Sequence, residues 1–334
     1  MSTIYDVARE AKVSIATVSR VFNGSDAVSA MTQDKVRRAA DKLDYTPHLG
    51  ARSLMIKRTD TIGIVLPDMH GEFFSELVKG ADAAARERGL HLLLSCSHDN
   101  AEEMAAALSS MRGRVDGIIV MSPLIGADAF RKYVPKDIPI VVVNGGTHGS
   151  GYSTVSLDNY AGAFKMTQHL VDEGNQLISL ISGPTSNQDA EQRKQGYVSA
   201  MEELVPNFRI DVVEGDFSET SGYQAGKRIL ARATRPDAIF ASNDAMAMGC
   251  LSALKDHDVH VPQDVALAGF DDIPLARYMR PALSSVGVPI AELGMKSLEV
   301  IVDKVQQLTA DDSTNEYVFA PSLVIRDSSK RSTA

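Results

Sequence analysis

"VSIATVSRVFN", residues 13–23, sets valine, isoleucine and phenylalanine among two serines, a threonine, an arginine and an asparagine. Ser14 is a good helix N-cap, because its hydroxyl can accept one of the orphan N–H groups of the first turn. In the helix it opens, Val18, Val21 and Phe22 share one face. Ile15, Ala16, Thr17, Ser19, Arg20 and Asn23 are left for the other, and Gly24 can end it. Upstream, Thr3 with Asp6 three residues later is a capping arrangement for "IYDVAREA", whose Ile4, Val7, Ala8 and Ala11 fall at i, i+3, i+4, i+7. "KV" then turns the chain. Downstream, "TQDKVRRAADKLDY" reads as a third helix with Val36, Ala39, Ala40 and Leu43 inward.

Two short helices joined by a tight turn, with a third packed across them, form a helix-turn-helix. That geometry lays the second helix in the DNA major groove. It accounts for the mixed composition: Arg20 can pair with a guanine, and Ile15 and Ala16 can meet a thymine methyl. Thr17, Ser19 and Asn23 are short donors for phosphate or base edges. A three-helix cap with no partner fits the same pattern. Charge is uneven along the chain: residues 1–58 carry +4 while the other residues carry −13 of the total −9. A basic head on an acidic body implies that only the head meets phosphate.

The 334 residues, 44% hydrophobic, suffice for two or three domains. No apolar run approaches the ~20 residues of a membrane span. The N-terminus lacks the apolar stretch of a secretory signal. Cys96 and Cys250 stand far apart without CxxC spacing and read as reduced thiols in a cytoplasmic protein.

From Thr61 the chain alternates apolar strands with amphipathic helices: "TIGIVLP", "LHLLLSC", "DGIIVM" and "IPIVVVN", then "LISLISG", "DAIFAS" and "DVALAGF". Fully apolar strands between such helices imply parallel sheets covered on both faces. Two series imply two doubly wound subdomains. Ligands of open α/β sheets sit beyond the carboxyl ends of the strands. Candidate ligand residues there are Asp68, His70, Phe73 and Phe74 after the first strand, Ser122 and Asn144 after the third and fourth, and Arg193, Phe217, Asn243, Asp244 and Asp271 in the second series. "NGGTHGSG" loosely resembles a phosphate-binding glycine loop, but the following "YSTVSLD" reads as a strand, whereas a dinucleotide fingerprint must open a helix. No nucleophile elbow, P-loop, HExxH or metal-spaced His/Cys cluster is present, so no enzyme, cofactor or metal is expected. A transport-type binding protein would suit the body but neither the basic head nor the missing signal.

"TIYDVAREAKVSIATVSRVFNG" and "VSAMTQDKVRRAADKLDYTPHLGARSL" closely resemble the DNA-binding head of the lactose-repressor (LacI/GalR) family. The likeness continues in family order through "IGIVLPD", "DNYAGA", "PDAIFASNDAMAMG", "DVALAGFDDIP" and "PSLVIRDSS". The resemblance implies an all-α helix-turn-helix head (1–46), a hinge (47–58) and an α/β periplasmic-binding-protein-like core (59–330) of two doubly wound parallel-sheet subdomains. The N-subdomain would take about 59–158 plus 288–316, and the C-subdomain about 159–287 plus 317–330. It implies a repressor that binds a palindromic operator in double-stranded DNA as a homodimer. Its effector would be a small molecule, a sugar or sugar derivative, between the subdomains; a nucleobase or a protein corepressor is the alternative. It adds Tyr5, Ser14, His48, Ala51 and Leu54 to the DNA contacts, Leu54 as a minor-groove wedge. Among the cleft residues it singles out Arg193, Asn243 and Asp271. Departures are Lys12 where relatives often have Gly, His48 for Asn, Gly50 in the hinge, and Val288 for Gln, which would make the cleft wall more apolar.

Overall fold

The computed structural model describes residues 2–22, 27–45, 58–69, 71–98, 100–121, 130, 132–135, 137–144, 151–306 and 314–330. The chain divides into two compact units, residues 1–60 and 61–334.

The first unit holds α1 (Ile4–Ala11), α2 (Ile15–Phe22) and α3 (Ala30–Lys42). The Thr3 N–H and Oγ1 both donate to Asp6 Oδ2, at 2.9 and 2.7 Å, so the capping pair forms. Lys12 ends α1 in the left-handed region, φ 51° and ψ 47°. Ser14 accepts the Thr17 N–H at 3.1 Å and opens α2. α3 starts two residues earlier than read, because Ser29 accepts the Thr32 N–H. Val7, Ala8, Ala11, Val18, Val21, Val36, Ala39 and Ala40 make the core. Phe22 and Leu43 lie half-buried against it.

In the second unit the order is β1 (Thr61–Leu66), α4 (Glu72–Glu87), β2 (His91–Cys96), α5 (Ala101–Met111), β3 (Gly117–Met121), β4 (Ile140–Val143) and β5 (Ser153–Leu157). Then follow α6 (Asn159–Asp172), β6 (Ile178–Ser182), α7 (Gln188–Leu204), β7 (Val212–Glu214), α8 (Glu219–Leu230), β8 (Ala238–Ala241), α9 (Asp244–Lys255) and β9 (Ala266–Asp271). A 3-10 turn (Pro274–Tyr278), β10 (Ser284–Gly287), α10 (Ile290–Gln306), β11 (Glu316–Phe319) and β12 (Ser322–Val324) complete it.

Two six-stranded sheets result, ordered β11-β5-β4-β3-β1-β2 and β12-β10-β9-β8-β6-β7. Every pairing is parallel except β10 with β12. β3, β4, β5, β6, β8 and β9 are buried along their whole length, as helices on both faces require. The chain passes between sheets after β5, after β10 and between β11 and β12. Tyr317–Phe319 therefore belong to the first sheet, paired with Val155–Leu157. The last boundary, expected between 316 and 317, falls after Phe319. The reason is local: β11 must complete the first sheet's edge before the chain leaves it.

Glycines set the helix spacing. A Cβ on Gly80 of α4 would strike the Ala291 carbonyl of α10, and one on Gly294 would strike the Leu77 carbonyl. Gly222 and Gly249 stand in the same relation across α8 and α9. Side-chain-free crossings bring backbones into contact and leave the wider side chains for the sheet.

Candidate functional site

Carboxyl ends of strands from both sheets converge on a cavity of ≈ 330 Å³ within the second unit. Asp68, Phe73, Phe74, Asn144, Arg193, Phe217, Asn243 and Asp271 line it, as the strand-end rule anticipates. His70 and Ser122 lie outside the described residues. Asp244 is not in the wall. It is fully buried behind it, where its carboxylate accepts the Ser285 hydroxyl at 2.6 Å and the Ile273 N–H at 2.9 Å. Val288 is a correction: it is buried in the apolar core and is not among the residues that line the cavity, so it does not itself make the wall more apolar.

The wall has two kinds of polar group. The first kind is internally committed. Arg193, 5% exposed, donates through Nε to Asn159 Oδ1 at 2.8 Å and through Nη1 to the Ser242 carbonyl. Its guanidinium carbon lies 3.8 Å from the centre of the Phe270 ring. Asn243 accepts the Met246 N–H at 2.9 Å, capping α9, and donates to the Phe217 carbonyl at 2.9 Å. Both were expected to face a ligand; much of their bonding instead fixes the loops around it. Phe217 sits at φ 70°, with its ring against Gly183 so closely that a Cβ there would overlap it.

The second kind is unsatisfied. Among the described residues Asn144, 2% exposed and at φ 50°, finds no partner for either amide atom. Asp271 Oδ1, 5% exposed as a residue, has no hydrogen bond either. Arg193 Nη1 stands 3.4 Å from it, an ion pair that leaves room for a closer donor. Burial pushes the Asp271 carboxyl up to about 7; Arg193 opposes this and the Asp189 charge adds to it. A buried polar atom without a partner costs about 1–3 kcal/mol. Asn144 belongs to the first sheet and Asp271 to the second, so a ligand that satisfies both must touch both.

Glu72, Asn187, Asp189, Asp216 and Glu219 also line the cavity and were not anticipated. They occupy helix starts and the turns before them. Among the described residues no set of three His, Cys, Asp or Glu side chains is placed to hold a metal, and no helix is long and apolar enough to cross a membrane.

On the head, Tyr5 (63% exposed), Ile15, Ala16 and Arg20 are exposed, while Thr17 and Ser19 are half-buried. The Ser14 and Thr17 hydroxyls lie 2.8 Å apart, so Ser14 is engaged by its own helix. Asn23, His48, Gly50, Ala51 and Leu54 lie outside the described residues.

Residues 3–48 match the family described as bacterial regulatory proteins, lacI family, and residues 167–329 match the periplasmic binding protein-like domain. Catabolite control protein A of Priestia megaterium is 34% identical over 93% of this chain and 95% of its own length. The HTH-type transcriptional repressor PurR of Salmonella paratyphi B is 35% identical over 91% of each. The lac repressor dimer, solved bound to operator and the anti-inducer ONPF, superposes with TM-score 0.88 at 26% identity, covering 99% of both chains.

Proposed function

The chain belongs to the lacI family of bacterial regulatory proteins, as a DNA-binding transcriptional repressor and not an enzyme; from that premise we propose that a sugar or sugar derivative, bound between the two sheets, sets its affinity for operator DNA. The observation that carries this is the pairing of Asn144 on one sheet with Asp271 on the other, both buried with polar atoms unsatisfied. A polyhydroxylated ligand supplies donors and acceptors to each and ties the sheets together. Phe73, Phe74 and Phe217 offer faces for the apolar side of a sugar ring. Operator affinity then shifts by the difference in the effector's affinity for the two arrangements of the sheets.

On the DNA side, α2 lies in the major groove with Arg20 on a guanine, while Ile15, Ala16, Thr17, Ser19 and Asn23 surround it and Tyr5 and Ser14 meet the backbone. His48, Ala51 and Leu54 extend the contact through the hinge, Leu54 as a wedge at the central step. One head reads half a site, so a homodimer on a palindrome is the working unit.

Replacing Arg20 with Ala should weaken operator binding by about 1–3 kcal/mol and leave binding to unrelated duplex nearly unchanged. Gel-shift titrations on both duplexes measure this; equal losses on the two would remove Arg20 from base reading. For the effector, a melting-temperature screen of sugars is the direct test. A ligand at about 100 times its dissociation constant adds roughly 2.7 kcal/mol. The three phenylalanines also suit a purine ring, and a purine that stabilises where sugars do not would move the chain to the nucleobase reading.

A further inference from the structure

Four helices present their N-termini to the cavity: α4, α7, α8 and α9. Gly71, Asn187, Ser218 and Asn243, the residues just before them, all line it. Helix N-termini attract anions, through unpaired N–H groups and the helix dipole. Four of them around one cavity would by themselves make a site for phosphate or carboxylate.

Here those positions are already filled. Asn187, Ser218 and Asn243 each accept an N–H of the turn they cap. The first turns of the four helices carry Glu72, Asp189, Glu219 and Asp244. The carboxylates of Glu72, Asp189 and Glu219 thus complement the dipoles of α4, α7 and α8, while burial pushes the Asp244 carboxyl, behind the wall, well above the usual carboxylate range. Asp68 and Asp216 add further negative charge to the wall, and the Ser218 hydroxyl holds Asp216 below the usual carboxylate range. The described lining carries one cation, Arg193. It is already hydrogen-bonded to Asn159 and the Ser242 carbonyl and lies beside Asp271.

We propose that this cavity takes an uncharged effector, a free sugar rather than a sugar phosphate, a sugar acid or a nucleotide. The inference rests on the cleft-bound sugar reading above and narrows it. The unsatisfied groups agree with it. Asn144 offers one donor side and one acceptor side, and Asp271 Oδ1 takes a hydrogen-bond donor. Hydroxyls answer both, since each can donate to Asp271 or accept from it, whereas a phosphate meets like charge around it.

The test is calorimetric titration of the full chain with matched probes. These are glucose, ribose, trehalose, cellobiose and maltose, set against glucose 6-phosphate, ribose 5-phosphate, trehalose 6-phosphate, gluconate and inorganic phosphate, with hypoxanthine alongside. We expect a free sugar to bind, its phosphorylated partner to bind on the order of a hundred-fold more weakly or not at all, and inorganic phosphate to be silent. Asn144→Ala should lose the sugar while still binding operator. In Glu219→Gln combined with Asp68→Asn, the gap between sugar and sugar phosphate should narrow. A phosphorylated sugar or gluconate that binds as tightly as its neutral parent overturns the inference and leaves the cleft-effector reading standing. Hypoxanthine as the sole ligand overturns it in favour of a nucleobase. Silence from every small molecule, with operator binding intact in the same preparation, overturns both it and the cleft-effector reading.

Discussion

Asp271 sits between opposing demands. It lines the cavity from the carboxyl end of β9, a central strand, and burial there holds its carboxyl to about 7. In an unfolded chain an aspartate ionises near 3.9. Between those values the folded protein keeps a proton that the unfolded chain has lost. The stability this group contributes is therefore complete below about pH 4 and is lost as pH rises towards 7. Asp271→Asn removes the dependence. Urea denaturation at stepped pH should show wild type losing roughly 4 kcal/mol relative to the variant from pH 4 to 8. A difference that stays flat would mean that Arg193 keeps the carboxylate ionised throughout. Lys12 is a simpler case. Its left-handed backbone ends α1 where glycine is at ease. Lys12→Gly should stabilise the head by about 1 kcal/mol, read as a higher melting temperature of the first unit.

Packing between helices depends on what is missing from their contact faces. Gly222 of α8 meets the Met246 backbone of α9, and Gly249 of α9 meets the Glu219 carbonyl in return. Because the clash is with backbone, no rotamer change relieves it. Gly222→Ala should therefore cost about 1–3 kcal/mol or more, measurable by chemical denaturation, although alanine is the better helix former. A neutral result would show that α8 can slide on α9. This explains what could be read in advance and what could not. The central strands were legible because a strand covered on both faces is a continuous apolar run, as in "GIIVM" and "IVVV". β7, three residues long, and β11, alternating exposed and half-buried in "EYVF", sit at sheet edges and lack that signature. In the cavity, Asn144 and Asp271 were legible from their places at strand ends. Glu72, Asp189 and Glu219 were not, since an acid in the first turn of a helix is ordinary capping chemistry until the helices are seen to converge. Arg193 and Asn243 line the wall, but the hydrogen bonds they make within the chain depend on Asn159 and Ser242, distant in sequence from Arg193, and on Phe217, distant from Asn243.

Across the second unit, one contact joins the two lobes at the cavity rim. Glu72, at the start of α4, accepts the Leu275 N–H at 2.9 Å. It ties the lobes at the rim, where the proposed effector would tie them from within. Removing it with Glu72→Ala should leave the fold intact and quicken effector release, with a loss of about 0.5–1 kcal/mol in affinity. Stopped-flow displacement with the sugar found by titration would measure it. An unchanged release rate would mean that the contact does not persist in solution.

The interleaved strand order has a consequence for how the protein is made. Residues 1–60 have their own core and can settle as soon as they leave the ribosome. The first sheet cannot: β5 holds one edge open until residues 316–319 are synthesised, long after its other strands. For most of translation, then, a finished DNA-binding head trails a lobe with an unpaired strand edge, the feature that invites pairing with a neighbouring chain. A nascent chain of this design is one for chaperones to shield, and a ribosome that stalls before residue 316 releases a head able to reach DNA on a lobe that cannot close.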